Sequence, residues 1–587
     1  MSKHRHTIGV FVDAIDPDYQ QGILCGIHDE AQALGLDVTC FVGGALEGAR
    51  PLRGDCNLAY TLSHPAHLDA LIVLSGTLAN YAGMSRVSAL CERFQELPIC
   101  SIGGALDYDN AFELSVNNRA GIRQALMHLA QTCGRRRIAF IKGPEGNEEA
   151  RERFQVYREA IAELGLASDP ELVVDGDFFE ASGARAVRTL LDDRRQGFDA
   201  LLAASDLMAI GAMRELIERK VAVPQRVAVI GFDDIEAARF TTPALSTVRQ
   251  PLLEQGQRAV REVVARIAER GLPKHVALDT TFIPRQSCGA RSLTSMVAGL
   301  MAQVPEADNG QPLPFEEAYR QALPHILRDV RRVLEEAGFE FDPSLPETLL
   351  VQASTDIQGR TRGLLQGQSF VAFIEEVIGS MTVTPAVDFS AWQEVISVLR
   401  RHLSWCLRRE VKWRRSAEDI WHRARSSVSH LAERIQARKW LAEVELCEEL
   451  HRAGHQILNA ASVPEVAQAL ARTLSRLKVR ACFVAVPDAG DTYRGLFSVL
   501  NDQIRMEFAA PFSAEHLMPA ELSQEAAATT WLVEPLVLRQ RQLGYVVFAF
   551  GPTQGRSYTM LRDYLSAAVA ELAGGTGVSW ASALGQR

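Results

Sequence analysis

The clearest hydrophobic pattern in the chain lies in residues 199–234. An apolar run, Leu201–Ala204, is followed by an amphipathic stretch whose apolar residues recur at helical spacing. A second apolar run, Val227–Phe232, follows that stretch. Uninterrupted apolar runs of this length are typical of strands that are buried on both faces. The pattern therefore predicts a parallel sheet covered by helices.

Four polar residues follow these two predicted strands. Ligands of open α/β sheets bind beyond the carboxyl ends of the strands. Ser205, Asp206, Asp233 and Asp234 are therefore candidates for holding a small polar molecule. The alternative for Asp206 and Asp234 is that each caps the helix that follows it. At this level both interpretations stay open for these two residues.

The same alternation extends through residues 1–290. Helical patterns are found at about residues 19–34, 119–131 and 147–164. The strand patterns are TIGVFVDA, DVTCFVGG, DALIVLSG, PICSIGG, FELSVNN, RRIAFIKGP and ELVVDGDF. This order predicts two successive doubly wound α/β lobes, and a cleft between two such lobes is a natural place for a small ligand.

The pattern changes in the second half of the chain. Residues 291–314 show little periodicity and are expected to form a linker. Residues 315–415 have the periodicity of an all-α connector. In residues 416–458, apolar positions at three- and four-residue steps favour a signalling helix or a short parallel coiled coil. Residues 459–575 return to an α+β order, and residues 576–587 form a tail rich in Gly and Ser.

Composition narrows the class of protein. The 587 residues carry a formal charge of −10, which argues against a chain built mainly to coat nucleic acid. The ten cysteines are scattered without a C-x-x-C pair. They are expected to be core thiols in a reducing compartment, rather than disulfides or a zinc site. No apolar stretch of about 18 residues occurs, so we expect a soluble, cytoplasmic protein.

The sequence contains no recognised catalytic motif. The phosphate-binding loop, HExxH and GxSxG patterns do not occur in it. His451 and His455 are spaced four residues apart on a predicted helix, but no Glu or Cys completes a metal-binding set beside them. We therefore expect no enzyme activity, no cofactor and no metal.

Two long stretches carry a resemblance to a known family. They are NNRAGIRQALMHLAQTCGRRRIAFIKGPEGNEEARERFQVYREAIAELGL and ASDLMAIGAMRELIERKVAVPQRVAVIGFDDIEAARFTTPALSTVRQP. Both resemble the ligand-sensing core of LacI/GalR-type regulators, a relative of the periplasmic sugar-binding proteins. The resemblance covers about residues 5–290. It implies a two-lobed α/β sensor, periplasmic-binding-protein-like, that closes on a small molecule.

The resemblance also implies roles for individual residues. Arg153 matches an arginine that reaches ligand hydroxyls or carboxylates, and Phe178 matches an aromatic that stacks on a sugar or a base. Asp233 matches an acceptor for ligand hydroxyls, and Ser205 a hydrogen-bonding position. The alternative for Arg153 is a helix-surface ion pair with Glu149 or Glu152. A planar fork of donors such as the Arg153 guanidinium suits recognition of vicinal oxygens.

Further ligand-binding candidates lie at the ends of other predicted strands. They are Asp13, Asp16 and Tyr19 beyond the first strand and, as a weaker candidate, Ser75 after the third; Asp206, next to Ser205, completes the set of candidates. Several carboxylates in one cleft favour neutral polyols or cationic ligands over carboxylate ligands.

Residues 459–575 resemble a GAF-type sensor domain. The resemblance rests on the long entry helix, the hairpin VEPLVLRQRQLGYVVF and the exit helix SYTMLRDYLSAAVAELAG. The sequence starts at the first strand of the LacI/GalR-like sensor, so we expect the family's helix-turn-helix to be absent.

Together these features predict a non-enzymatic, homodimeric sensor of a small polar ligand, expected to be a sugar. It would act in signal transduction or transcription regulation, and a partner protein would carry the output. The alternative is a DNA-binding LacI-family regulator with an unrecognised DNA-reading segment in residues 315–415. An enzyme acting through the GAF-like half has no catalytic constellation behind it.

Overall fold

The chain is represented by a computed structural model. The residues it describes are 5–16, 18–48, 57–166, 168–268, 273–289, 313–336, 339, 341–359, 369–380, 391–488, 492–506, 508, 511–513, 516–519, 522, 530–539, 541–552 and 554–574. Two compact units are present. One comprises Met1–Gly289 with Leu446–Arg587, and the other is Ala290–Glu445.

Strands and helices alternate through residues 7–283. The strands are β1 (Thr7–Val12), β2 (Asp37–Val42), β3 (Ala70–Val73), β4 (Ile99–Ile102), β5 (Ala111–Val116), β6 (Ile138–Ile141), β7 (Val173–Val174), β8 (Ala200–Ala203), β9 (Ala228–Asp233), β10 (Ser246–Arg249), β11 (His275–Leu278) and β12 (Thr281–Ile283). The helices are α1 (Asp18–Leu34), α2 (Leu58–Thr61), α3 (Ser75–Ala82), α4 (Met84–Cys91), α5 (Asn118–Met127), α6 (Glu148–Glu163), α7 (Glu180–Arg188), α8 (Asp206–Glu218), α9 (Glu236–Phe240) and α10 (Leu252–Ala268).

These elements form two lobes. The sheet of lobe 1 has the order β11-β5-β4-β3-β1-β2, and all of its neighbouring strands are parallel. The sheet of lobe 2 has the order β12-β10-β9-β8-β6-β7, in which only β12 is antiparallel to its neighbour. The central strands are buried on both faces, which explains their uninterrupted apolar runs. The predicted two-lobed α/β fold is confirmed.

The chain passes between the lobes three times: after β5, after β10, and between β11 and β12. After the second crossing, α10 packs against α1 of lobe 1. A Cβ atom on Gly26 would lie 2.0 Å from the carbonyl oxygen of Leu253, and one on Gly256 would lie 2.1 Å from that of Ile23. The two helices can approach this closely because glycine has no side chain at the contact.

The second unit is a bundle of helices. Its elements are α11 (Phe315–Glu336), α12 (Leu345–Ile357), α13 (Phe370–Ser380), α14 (Ala391–Cys406) and the first part of α15 (Val411–Leu458). Helix α15 runs without a break through residue 416, where the sequence suggested a boundary. Three residues of the predicted coiled-coil seam, Ile420, Ala424 and Val428, are buried in this unit's own apolar core. They pack against helices of the same chain, so they are not free to pair with a second copy.

The C-terminal domain is an antiparallel sheet with a helix before it and a helix after it. Its elements are α16 (Val463–Arg476), β13 (Ala481–Pro487), β14 (Thr492–Leu500), β15 (Gln503–Arg505), β16 (Phe512–Ser513), β17 (Thr530–Leu538), β18 (Arg541–Ala549) and α17 (Gly555–Gly574). The strand order is β17-β18-β13-β14-β15, and β16 also pairs with β14. Within the described parts of the chain, no helix combines the length and apolar character needed to cross a lipid bilayer.

The C-terminal domain extends the sheet of lobe 1. Strand β17 pairs in parallel with β2, with Thr530 opposite Val38 and Val533 opposite Phe41, so that one twelve-stranded sheet runs through both. The apolar cores on both faces are shared as well. One contains Val38 with Leu532, and the other contains Phe41 with Val533. Lobe 1 and the C-terminal domain therefore form one continuous hydrophobic structure, which the sequence did not predict.

Candidate ligand-binding cleft

Arg153 is the centre of the candidate site. Its side chain lies among residues at the ends of strands, and the residue is only 3% exposed. The guanidinium donates to Asn118 Oδ1 at 2.8 Å, to the carbonyl oxygen of Ala204 at 2.8 Å and to Glu149 Oε2 at 3.4 Å. It also lies 3.9 Å from Asp233 Oδ1. The ion pair with Glu149 thus exists, but it is buried instead of lying on a helix surface.

Helix α6 positions this pair of residues. Asn147 is its N-cap and accepts a hydrogen bond from the Ala150 N–H at 2.8 Å. The acidic residues in the first turn complement the positive end of the helix dipole. Glu149 and Arg153 are four residues apart, so they lie one above the other on the same helix face.

Asp233, at the end of β9, faces Arg153. Its Oδ1 accepts a hydrogen bond from Gln250 Nε2 at 2.7 Å. Burial raises the pKa of Asp233 to about 7, although Arg153 and Gln250 favour the ionised form. Burial likewise raises the pKa of Glu149 against the effect of Arg153. Asp233, whose pKa lies near neutral, can therefore accept or donate a hydrogen bond at this pH.

Residues of lobe 1 approach this cluster. Burial, together with the negative charges of Glu149 and Asp233, raises the pKa of Tyr19. The charges of Glu149 and Asp233, which belong to the other lobe, therefore act on the Tyr19 phenol. Asp13 accepts hydrogen bonds from Gln20 Nε2 at 3.1 and 3.3 Å, and its charge also acts on Tyr19. Asp16 is half-buried in the loop that follows β1.

Ser205 and Asp206 begin α8 and are both buried. Ser205 is the N-cap, and its Oγ accepts from the Met208 N–H at 3.4 Å. Asp206 is 0% exposed. Its Oδ1 accepts from Thr247 Oγ1 at 2.6 Å, and its Oδ2 accepts from the Ile235 N–H at 3.0 Å. The Asp206 carboxylate therefore holds the turn after β9 from inside lobe 2.

Asp234 neither caps a helix nor joins the cleft cluster. Its carboxylate pairs with Arg239, Arg249 and Arg285 at 3.3, 2.7 and 2.5 Å. Burial favours a higher pKa for Asp234, but the three guanidinium groups outweigh it and hold the pKa below its ordinary value. Asp234 and Asp233 are adjacent in sequence and have opposite electrostatic environments.

Phe178 and Ser75 have different surroundings. Phe178 adopts a φ of 68°, and the edge of its ring would lie 2.4 Å from a Cβ atom on Gly143, so the ring covers the loop after β6. It is half-buried. Ser75 is fully buried, and its Oγ lies 2.6 Å from Ser101 Oγ. The Ser75 hydroxyl is therefore bonded inside lobe 1.

The two lobes touch directly beside the cluster. Asn147 Nδ2 donates to the carbonyl oxygen of Gly76 at 2.8 Å and to Asn80 Oδ1 at 3.0 Å. On the same side, Glu148 Oε2 accepts from the Ala105 N–H at 3.3 Å. These bonds join the start of α6 to α3 and to the loop after β4.

The structure adds partners that the sequence did not single out. They are Asn118, Gln250 and Phe232, whose ring centroid lies 3.8 Å from the guanidinium carbon of Arg153. The sequence indicates Glu149 only as a surface partner of Arg153, through its i, i+4 spacing. Among the described residues, one group of side chains could share a metal ion, and it contains none of these cleft residues.

Comparisons with known proteins agree with this architecture. The family model described as a periplasmic binding protein-like domain matches residues 128–288. The HTH-type transcriptional regulator CelR of Thermobifida fusca is 41% identical over 175 residues, which are 30% of this chain and 51% of the relative. The HTH-type transcriptional regulator GalR of Escherichia coli (strain K12) is 33% identical over 181 residues, 31% of this chain and 52% of the relative.

A solved structure of a CelR–cellobiose complex shares 30% sequence identity. The match covers 48% of this chain and 85% of that one, with a TM-score of 0.42. The chain spans about half the length of the two curated relatives above. Both of these relatives are described as HTH-type transcriptional regulators. The chain therefore contains a periplasmic binding protein-like domain of the LacI/GalR type.

Proposed function

We propose that this protein is a sugar-responsive regulator of transcription that binds its ligand in the cleft between lobes 1 and 2. The observation that carries the proposal is the buried Arg153, bonded to Glu149 and Asn118 and facing Asp233. The similar proteins CelR and GalR are transcriptional regulators, which supports regulation of transcription as the output of this protein. The ligand-contacting residues that we propose are Arg153, Asp233, Tyr19, Asp13 and Phe178.

The charges of the cleft favour a neutral polyol. The guanidinium of Arg153 already pairs with the carboxyl groups of Glu149 and Asp233, so a ligand carboxylate would compete with them for the same cation. Sugar hydroxyls can donate to the carboxylates and accept from the guanidinium at the same time. The ring of Phe178 offers an apolar face for the C–H side of a sugar ring.

We propose that the shared sheet carries the signal from the cleft to the C-terminal domain. In this proposal, the sugar selects the closed arrangement of the two lobes by touching both of them. The strand pairing of β17 with β2 makes the C-terminal domain follow lobe 1. A second contact supports this route: a Cβ atom on Gly555, at the start of α17, would lie 1.7 Å from the carbonyl oxygen of Ile15. Ile15 belongs to the loop that connects β1 to α1 at the cleft.

The C-terminal domain is proposed to be GAF-like. Its central antiparallel sheet, with α16 before it and α17 after it, is the arrangement on which the resemblance rests. The expected homodimer also remains a proposal. Pairing would need surfaces other than Ile420, Ala424 and Val428, which are buried within one chain.

A second candidate is a sensor that passes its signal to a partner protein instead of to DNA. The shared sheet favours this candidate, because it would transmit lobe movement to a domain outside the two-lobed sensor. Fluorescence anisotropy of the full chain with duplex DNA separates the two. Binding that weakens steeply between about 50 and 200 mM salt supports direct DNA contact, whereas the partner-protein candidate expects no binding even at low salt.

Ligand binding is tested by a thermal-shift screen of the full chain with mono- and disaccharides, amino acids and purines, followed by calorimetry of any hit. A ligand at about 100 times its dissociation constant should add about 2.7 kcal/mol of stability. A response confined to saccharides supports the proposal. A response confined to amino acids or purines, or none at all, refutes the sugar assignment.

The site itself is tested with Arg153→Lys, which keeps the charge but removes the planar fork of donors. We expect sugar affinity to fall about 10- to 100-fold, because one or two charge-assisted hydrogen bonds are lost. Arg158→Lys is the matched control, since Arg158 lies on the same helix and is exposed. Equal affinity in the wild type, Arg153→Lys and Asp233→Asn would show that the ligand binds elsewhere.

A further inference from the structure

Within the part of the chain that the structure describes, one cluster of potential metal ligands lies outside the cleft cluster. His128, Cys133 and Cys288 each offer one donor atom, and the three atoms all lie within 4.8 Å of one another. His128 Nε2 is 3.2 Å from Cys288 Sγ. Cys288 is fully buried, while His128 and Cys133 are partly exposed. A cation from solvent could therefore reach the cluster without unfolding the lobe.

A π-helical turn brings two of these residues together. The Cys133 N–H donates to the carbonyl oxygen of His128 at 3.0 Å, closing the wide turn that follows α5. This turn places side chains five residues apart on the same side, which a regular α-helix would not do. A second π turn follows α7 in the same lobe. Its corresponding positions hold Thr189 and Arg194, which do not form a metal-ligand pair.

The third ligand comes from the last segment of the sensor domain. Cys288 ends the short helical turn Gln286–Cys288, which Ser287 fixes to lobe 2. Ser287 Oγ donates to the carbonyl oxygen of Val229 at 2.6 Å and accepts from the Ser246 N–H at 2.8 Å. The Cys288 N–H also donates to Ser246 Oγ at 3.2 Å, and its thiol donates to the carbonyl oxygen of Arg285 at 3.3 Å, so the segment is held in place by several bonds.

From this geometry we infer that His128, Cys133 and Cys288 form a binding site for Zn²⁺, with water as the fourth ligand. Two thiolates and one imidazole are ligands that zinc prefers. In a tetrahedral zinc site, the bond lengths place nitrogen about 3.6 Å from sulfur and the two sulfurs about 3.8 Å apart. The 3.2 Å between Nε2 and Sγ therefore needs to open by only about 0.4 Å to admit the ion.

Zinc would join the π turn to the segment Gln286–Cys288. Two of its ligands, His128 and Cys288, are 160 residues apart in the sequence. The chain leaves this unit at Gly289, directly after Cys288. The bound ion would thus fix the exit of the sensor domain to lobe 2. This role is independent of the sugar site proposed above.

Binding must displace thiol protons. Because zinc binds thiolates, its affinity should rise with pH. We expect up to about a tenfold gain per pH unit for each thiol that loses its proton on binding.

The experiment uses the full chain, purified under reducing conditions and freed of metal. Zinc is measured by elemental analysis and by competition with a chromogenic chelator, and Co²⁺ serves as a spectroscopic probe. One ion per chain and a thiolate-to-cobalt charge-transfer band are expected. That band reports sulfur ligation specifically, so histidine-only sites such as His451 with His455 do not produce it.

Variants test whether these residues hold the bound ion. Cys133→Ser and His128→Gln should each weaken zinc binding at least about 100-fold, since each removes a direct ligand. Cys447→Ser is the matched control, because Cys447 is exposed and outside the cluster. Circular dichroism of the metal-free variants confirms that they fold. Two folded variants that both keep wild-type affinity overturn the proposal, as does a wild-type chain that shows no cobalt–thiolate band. A Cys133–Cys288 disulfide that persists under the reducing conditions also overturns it.

Discussion

Asp233→Asn is expected to make the unliganded protein more stable at pH 8. Burial raises the pKa of Asp233 from its ordinary 3.8 to about 7, so folding opposes the charged form of this carboxyl group. A pKa difference of about 3 units corresponds to about 4 kcal/mol. Asparagine has the same shape and cannot ionise. Weakening of the hydrogen bond from Gln250 should cost about 1 kcal/mol, leaving a net gain of about 3 kcal/mol.

The pH dependence follows from the sign of the shift. Below about pH 4, Asp233 is protonated in both the folded and unfolded states, so it does not make the free energy of unfolding depend on pH. Between about pH 4 and 7, the unfolded chain is ionised while the folded protein keeps the proton, so wild-type stability falls by about 1.4 kcal/mol per pH unit from this group. Above the folded pKa the loss is complete. The variant should lack this contribution, and the two stability curves should separate over that interval.

Hydrogen exchange can measure this change in stability within lobe 2, which contains Asp233. Peptides covering β8 and β9 report the free energy of opening around residue 233, and exchange is followed from pH 5 to 8 in the full chain. Asp234→Asn is the control, because its arginine partners lower the pKa of Asp234, and that substitution should destabilise the same peptides above about pH 4. Equal protection from exchange in the wild type and Asp233→Asn at pH 8 would refute the conclusion that burial raises the pKa of Asp233.

Two further predictions concern close backbone contacts. Gly26→Ala should destabilise lobe 1 by about 1–3 kcal/mol in chemical unfolding, because its Cβ would lie 2.0 Å from the Leu253 carbonyl oxygen; unchanged stability would contradict the packing of α1 on α10. Gly555→Ala should speed hydrogen exchange in α17 and in the loop at Ile15, and unchanged exchange in both would argue against their contact. Gly197→Ala is the control for both variants, since its Cβ would meet no atom within 4 Å.

The sequence by itself determined the helices and strands of residues 1–290 and the α/β fold class of this part of the chain. Strands such as β8 and β9 were visible because buried parallel strands need apolar residues at every position, and this requirement acts on neighbours along the chain. The amphipathic period of α6 was also visible, since it too is a pattern of neighbours along the chain. Arg153 could be proposed as a ligand contact because the sequence around it resembles that of the LacI/GalR family. Polar residues after strand ends, such as Asp233, could be proposed as ligand contacts because the carboxyl edge of the sheet is fixed by topology.

The partners of individual polar atoms were decided only by the tertiary structure. Asp206 and Asp233 follow adjacent strands in the same way, yet Asp206 bonds inside lobe 2 while Asp233 faces Arg153. The seam of α15 has the spacing of a coiled coil, but a bundle in the same chain buries it. Periodicity shows which face of a helix is apolar and does not identify what covers that face.

Contacts between distant segments were likewise invisible in the sequence. Strand β17 joins β2 from the opposite end of the chain, and Cys288 meets His128 and Cys133 across most of lobe 2. Neither contact leaves a local pattern, since an apolar strand can pair with any compatible edge and a scattered cysteine looks like a core residue. Hydrophobic periodicity is a property of neighbours along the chain, whereas pairing and ligation depend on which segments the folded chain brings together.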